Sequence, residues 1–273
     1  MAAVDPPPAN LQNILPYRLS SLPSVSDALQ VRSGFTGHRG VPPEIARQIV
    51  SNGYNPRLQN RRDDEQHYQS TRENDPDYNI AGLYLTSDPI PLDQTSDQAP
   101  PNQTSDRALL KPSKIAKRII FQTRAADQSW VTLGGAGTFN NSHTWFEASI
   151  LRPLGHPPAT KLESVLTAPF RDVQSARDAL RDAGWEFVAR ENGDVTWRVL
   201  NNITAQRECR NYSVEWERGV ETVVQDEKAM GKGEGFLELL SRGCIVALWA
   251  KAAGRFWDNR VAAATIEIEY ELP

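Results

Sequence analysis

All seven tryptophans of this chain lie between Trp130 and Trp257, while thirteen of its nineteen prolines precede Leu110. Large rings carry much of the area a core can bury, and prolines withhold backbone donors that regular elements need, so folding energy is expected from the rear. A length of 273 residues with 39% hydrophobic content is enough for a real core. The charge divides in the same way. Residues up to Leu110 hold nine Lys/Arg against thirteen Asp/Glu, and the remainder holds twenty-one against twenty-one. A neutral rear behind a mildly acidic front is a poor match to phosphate backbones, so nucleic acid is not an expected partner.

The pattern predicts three segments. Residues 1–40, rich in Pro, Ser, Gly and Asn, bury too little apolar surface to offset ordering and read as a disordered tail. Residues 41–110 read as a short helix followed by a polar linker. Pro42 and Pro43 are tolerated in its first turn, Glu44 meets the positive helix end, and Ile45 and Ile49 share a face. The run from Arg61 to Glu65 reads as a solvated face or loop, and Gln-Thr-Ser-Asp occurs twice in the linker, at 94–97 and 103–106. Leu83–Leu85 reads as an apolar island that docks on a neighbour.

Residues 111–273 read as strands: 114–123, 130–133, 143–150, 196–200, 212–216, 245–249 and 264–270, each short, rich in aromatic or β-branched residues and bounded by turn formers. A helix is expected over Arg171 to Ala183, closed by Gly184, and a turn or two of helix over Phe236 to Leu240. The expected fold is mainly β: a β-sandwich of the jelly-roll or galactose-binding-like kind, with one or two short helices and a largely irregular N-terminal extension.

The set Pro42-Pro43-Glu44-Ile45, Asp127-Gln128-Ser129-Trp130, Thr144-Trp145-Phe146-Glu147-Ala148 and Gly243-Cys244-Ile245 through Trp257-Asp258-Asn259-Arg260-Val261 resembles a group of uncharacterised fungal proteins with a tryptophan-rich C-terminal β domain. That resemblance implies an architecture and no activity. The Pro-Pro-Glu-Ile helix also looks like the opening of an F-box, which would imply a ubiquitin-ligase adaptor, but the polar 52–79 segment lacks the Leu-rich helices such a module needs.

Chemistry-bearing signatures are sparse. Cys209 and Cys244 cannot build a disulfide framework, and His38, His67, His143 and His156 stand in no metal-ligand spacing, so neither metal nor cofactor is expected. No Gly-x-Ser-x-Gly elbow accompanies Ser142 and His143, and Gly231-Lys232-Gly233-Glu234-Gly235 lacks a phosphate-loop ending. Glu267, Glu269 and Glu271 read as a solvated strand face. Lys111, Lys114, Lys117 and Arg118 read either as gatekeepers of an early strand or as a patch for an acidic partner. The start has neither a basic region nor an apolar run, and no stretch is long enough to span a bilayer, so the expected location is cytoplasmic or nucleocytoplasmic.

Two tryptophans differ from the rest. Trp145, Trp197, Trp216 and Trp249 sit in alternating strand patterns and are expected in the core, whereas Trp130 and Trp257 lie at strand edges beside polar residues. Asp127 and Gln128 adjoin the first, and Arg255, Asp258 and Asn259 the second. With Asn140, Asn141 and His143 these loops are the expected contact surface: aromatic plates flanked by amide and charged groups, suited to a protein partner or, on a lectin-like module, to carbohydrate. The alternative is that the rings cap the core and Asn259 fixes a turn. Non-catalytic recognition of a protein is the expected function. Lectin-like binding, F-box-like adaptor docking and hydrolysis are the other readings, and alanine at Trp257 and Asn259 is expected to spare stability.

Overall fold

Alternation of apolar with polar side chains runs through the rear of the chain and already begins at residue 57, where it builds the first of two antiparallel sheets. The computed structural model describes residues 57–72, 75–91, 116–131, 134–155, 162–224 and 226–270, with a few isolated positions between 30 and 45. The strands are β1 (Arg57–Arg62), β2 (Gln66–Gln69), β3 (Asn79–Thr86), β4 (Ala116–Ala126), β5 (Thr144–Pro153), β6 (Pro169–Phe170), β7 (Trp185–Phe187), β8 (Trp197–Asn201), β9 (Arg210–Glu217), β10 (Ile245–Ala253) and β11 (Asp258–Tyr270). The first sheet runs β1-β11-β4-β9, with β2 continuing the line of β1 along β11. The second runs β6-β3-β10-β5-β7, and β8 also pairs with β5. The fold is a β-sandwich.

Inward-facing residues of both sheets fill the space between them. Ile119 and Phe121 of β4 and Ile266 and Ile268 of β11 meet Phe146 and Ile150 of β5, Val246 and Leu248 of β10, and Tyr84 of β3, all essentially inaccessible. Trp197, Trp216 and Phe236 close one side: ring centroids of Phe121–Trp216, Trp216–Phe236 and Trp197–Phe236 lie 5.0 to 5.1 Å apart, a spacing that favours tilted and edge-on contact. Phe236 opens the short helix α3 (Phe236–Leu239); the others are α1 (Glu163–Leu166) and α2 (Arg177–Asp182), the last preceded by a 3-10 turn at Gln174–Ala176.

A second apolar layer covers part of the outer face of the β10 sheet. Val165, Val173, Ala176, Leu180, Trp185 and Phe187 pack on Leu83, Leu151, Ala247 and Trp249, and the Trp249 indole donates to Ser149 Oγ at 2.8 Å. This layer explains why β10 reads as a continuous apolar run. It is buried on both faces.

Several sequence expectations are corrected. Residues 57–86, expected as helix-and-linker material outside the domain, supply three strands of the sandwich, so the boundary at 111 does not hold. Of the charge run Arg61 to Glu65, Arg61 and Arg62 end β1, while Asp63, Asp64 and Glu65 are exposed between β1 and β2; along β1, Arg57, Gln59 and Arg61 stand opposite Glu269, Glu267 and Thr265 of β11, while Leu58 turns inward. Leu83–Leu85 belongs to β3, a strand interior to its sheet between β10 and β6. Glu267 and Glu269 are not solvated; each is 5% exposed beneath Arg57, Lys117 and Arg118. Trp130–Val131 is loop, not the start of a strand. The helix expected over 171–183 is confined to its second half, with Gly184 left-handed behind it. The expected tail, the 42–50 helix and the 93–106 linker lie outside the described residues, isolated positions apart. Among the described residues no helix is long and apolar enough to cross a membrane.

Candidate functional site

The end of β4, the starts of β3, β5 and β9, and the β10–β11 turn meet at one end of the sandwich, because antiparallel pairing brings alternate strand ends together. Ala253, the last residue of β10, pairs with Asn79, the first of β3, and the following Gly254 N–H donates to the Tyr78 carbonyl at 2.8 Å. Gly254 has φ +95°, and a Cβ there would lie 2.9 Å from the Trp257 ring, so the turn requires glycine. Ser70, the residue after β2, fixes the same turn. Its N–H donates to Trp257 O at 2.8 Å, its carbonyl accepts from Phe256 N at 3.0 Å, and its hydroxyl donates to Gly254 O.

Beneath the turn lies a buried polar network. Asn259 is fully buried; its Oδ1 accepts from Asn202 Nδ2 at 2.9 Å and its Nδ2 donates to the carbonyls of Trp145 and Lys251, both at 3.1 Å. Asn202 Nδ2 also donates to Thr144 Oγ1, which in turn donates to Asp127 Oδ1 at 3.2 Å. Asp127 Oδ2 accepts from the Ala205 N–H at 2.9 Å. Burial pushes the Asp127 carboxyl up to about 6, against these hydrogen bonds that favour its charged form.

Above the network the rings assemble. The His143 imidazole stacks on Trp257 at 4.4 Å, Trp130 lies 6.2 Å from Trp257 on a tilt of 34°, and Phe256 meets Tyr78 edge-on at 6.4 Å. Trp257 is 8% exposed, whereas Trp130 is 52% and Phe256 48% exposed. The Arg255 guanidinium lies over the Phe256 ring at 5.1 Å. Tyr78, Asn141, Ala205 and Phe256 are the non-glycine residues with positive φ among those described, at 56° to 64°, and all four belong to this end. Such backbone costs roughly 1–3 kcal/mol a residue and collects where a surface must be held in one shape.

The sequence-derived set therefore divides. Trp130, His143 and Trp257 come together, with Gln128 under them donating from its amide to Trp130 O at 3.3 Å. Asn140 and Asn141 are exposed beside them: Asn140 Oδ1 accepts from Lys228 Nζ at 2.8 Å and Asn141 Nδ2 donates to Gly134 O at 3.3 Å. Arg255 is exposed. Asp127 and Asn259 are brought to the same place as internal fasteners and present no free group to a ligand. Asn259 is also not a loop residue, because β2 pairs with Asp258–Val261 and extends β11 backwards.

The residues that sequence reasoning passed over are Phe256, Tyr78, Asn202, Thr144 and Ala205. Only Phe256 left a trace, since of two adjacent rings in a tight turn one must face outward. Ser142 donates to Thr144 O at 2.9 Å, and Cys209 Sγ lies 3.5 Å from Arg260 Nη2. Among the described residues no group of three or more His, Cys, Asp or Glu is placed to hold a metal ion. No family model matches the sequence, and no curated protein does.

Proposed function

We propose that the loop end of the sandwich is the contact surface of a non-catalytic, intracellular recognition module for a protein partner. The observation that carries this reading is the half-exposed indole of Trp130, backed by Trp257 and His143 beside the positive-φ residues Asn141 and Phe256, while the side chains of Asp127 and Asn259 below are already engaged internally. An exposed, pre-positioned aromatic loses little side-chain freedom on binding and gives large contact area, the character of an interface hot spot. A sugar site needs carboxylate or amide groups free for hydroxyls, and both Asp127 oxygens and all of Asn259 are taken internally. Asn140 and Asn141 beside Trp130 are the feature that favours the lectin-like alternative.

Affinity capture from native extract, comparing wild type with Trp130→Ala and Phe256→Ala, tests the proposal. Specific partners are expected to fall by about tenfold or more, the scale of a lost hot spot. Folded variants that capture the same set would overturn it. Specific binding on a glycan array that Trp130→Ala abolishes would move the assignment to carbohydrate.

A further inference from the structure

Trp145 was expected in the core, yet it stands half-buried on the outer face of the β10 sheet, the face on which the helical layer buries Trp249. Register places Trp145 of β5 opposite Lys251 of β10 on one side and Asn201 of β8 on the other, with Glu147 opposite Arg198 one step along. The Arg198 guanidinium lies over the Trp145 ring, 4.4 Å from its centre, and Lys251 Nζ lies 5.1 Å from it. One carboxylate serves both cations. Glu147 Oε1 spends its short contact, 2.8 Å, on the neutral Trp145 indole, leaving Arg198 Nη2 at 3.8 Å and Lys251 Nζ at 3.4 Å from its oxygens. Asp172, whose field also reaches Lys251, is held by Arg171 at 3.0 Å.

Arg198 is thus oriented but not neutralised. Its Nη1 donates to Asn201 Oδ1 at 2.6 Å and its plane rests on an indole, yet its side chain is 42% exposed. Partial burial lowers its proton affinity more than Glu147 raises it, the mark of a cation short of negative charge. A guanidinium fixed on an aromatic face offers its remaining N–H groups in a fork that fits a carboxylate. Lys228 adjoins this face, its carbonyl accepting from Asn201 Nδ2 at 2.7 Å and its ammonium reaching Asn140, with exposed Asp226 and Glu227 before it.

We infer that Arg198, Lys251 and the ring of Trp145 form a second docking face, for an acidic peptide segment of a partner, with a partner carboxylate taking the Arg198 edge that Glu147 leaves open. The residues that carry this face, Arg198, Lys251 and Trp145, are not those that carry the surface around Trp130, although the two meet where Lys228 reaches Asn140, and the inference does not depend on the function proposed for Trp130. The test is a fluorescence-anisotropy titration of the full chain with a labelled oligoglutamate peptide at low ionic strength, with oligoglutamine as control. Saturable binding is expected for oligoglutamate alone, weakened at least about fivefold by Arg198→Gln, less by Arg198→Lys, and reduced further by salt near 0.3 M, where exposed charges are strongly screened. Trp130→Ala is expected to leave it unchanged. Equal binding by wild type and the folded Arg198→Gln and Arg198→Lys variants, binding of oligoglutamine, absence of saturation, or capture by anionic vesicles without peptide binding would each overturn the inference.

Discussion

At the scale of single residues, the site separates buried side chains that shape it from side chains exposed on its surface. Asn259 makes three hydrogen bonds in a fully buried position, so Asn259→Ala takes the acceptor from one N–H of Asn202 and a donor from two carbonyls and is expected to cost about 2–4 kcal/mol, read as an earlier urea midpoint. This reverses the expectation that alanine there spares stability. Trp130→Ala is expected to change stability by less than about 1 kcal/mol, because half the ring is already in water. Asp127 gives a pH signature. Its carboxyl is raised from 3.8 to about 6 in the folded chain, so its favourable contribution is complete below the unfolded value and is lost as pH rises through 6. At about 1.4 kcal/mol per unit, that contribution amounts to about 3 kcal/mol, and Asp127→Asn is expected to flatten the stability profile between pH 4 and 6.5. Melting temperatures of the two proteins across that range check it; parallel profiles would contradict the assignment. The rings of this site were legible in the sequence because Trp130 and Trp257 sit beside turn residues. The roles of Asp127 and Asn259 were not, since an amide that binds a ligand and one that pins three strands look alike until partners 57 and 114 residues away are known.

At the scale of elements, what the sequence hid is the charged strand pair at the front. Arg61 and Arg62 suggested a solvated face or loop, yet they end a strand whose outer face sets Arg57 against Glu267 and Glu269 of β11, while Arg62 turns over the Tyr84 ring. Such pairing is invisible to any window shorter than 200 residues. β2 is held differently, by contact with β3: the Tyr68 ring lies on Gly82, where a Cβ would come within 1.9 Å of it. Gly82→Ala is therefore expected to displace Tyr68 and to destabilise the fold by about 1–3 kcal/mol, the usual cost of overpacking. A urea midpoint unchanged from wild type would show that the ring moves freely. By contrast, β5, β8, β9 and β10 were readable, because their apolar residues alternate or run continuously between turn formers.

At the scale of the whole molecule, the tryptophan-rich rear does not close on itself. Two of its interior strands, β11 and β10, each take a neighbour from residues 57–86, and the Trp257 turn hangs from Ser70 and Tyr78. Without β1, β2 and β3 the polypeptide from 111 to 273 keeps every tryptophan and loses the strands that pair with Ile266, Ile268 and Leu248. The shape of the proposed contact surface thus depends on a part of the chain that composition alone would set aside. Thermal unfolding of residues 55–273 beside residues 111–273, followed by near-ultraviolet circular dichroism, puts this most directly to the test. A cooperative transition in the longer polypeptide and none in the shorter is the expected result; a cooperative, native-like transition in residues 111–273 alone would contradict it.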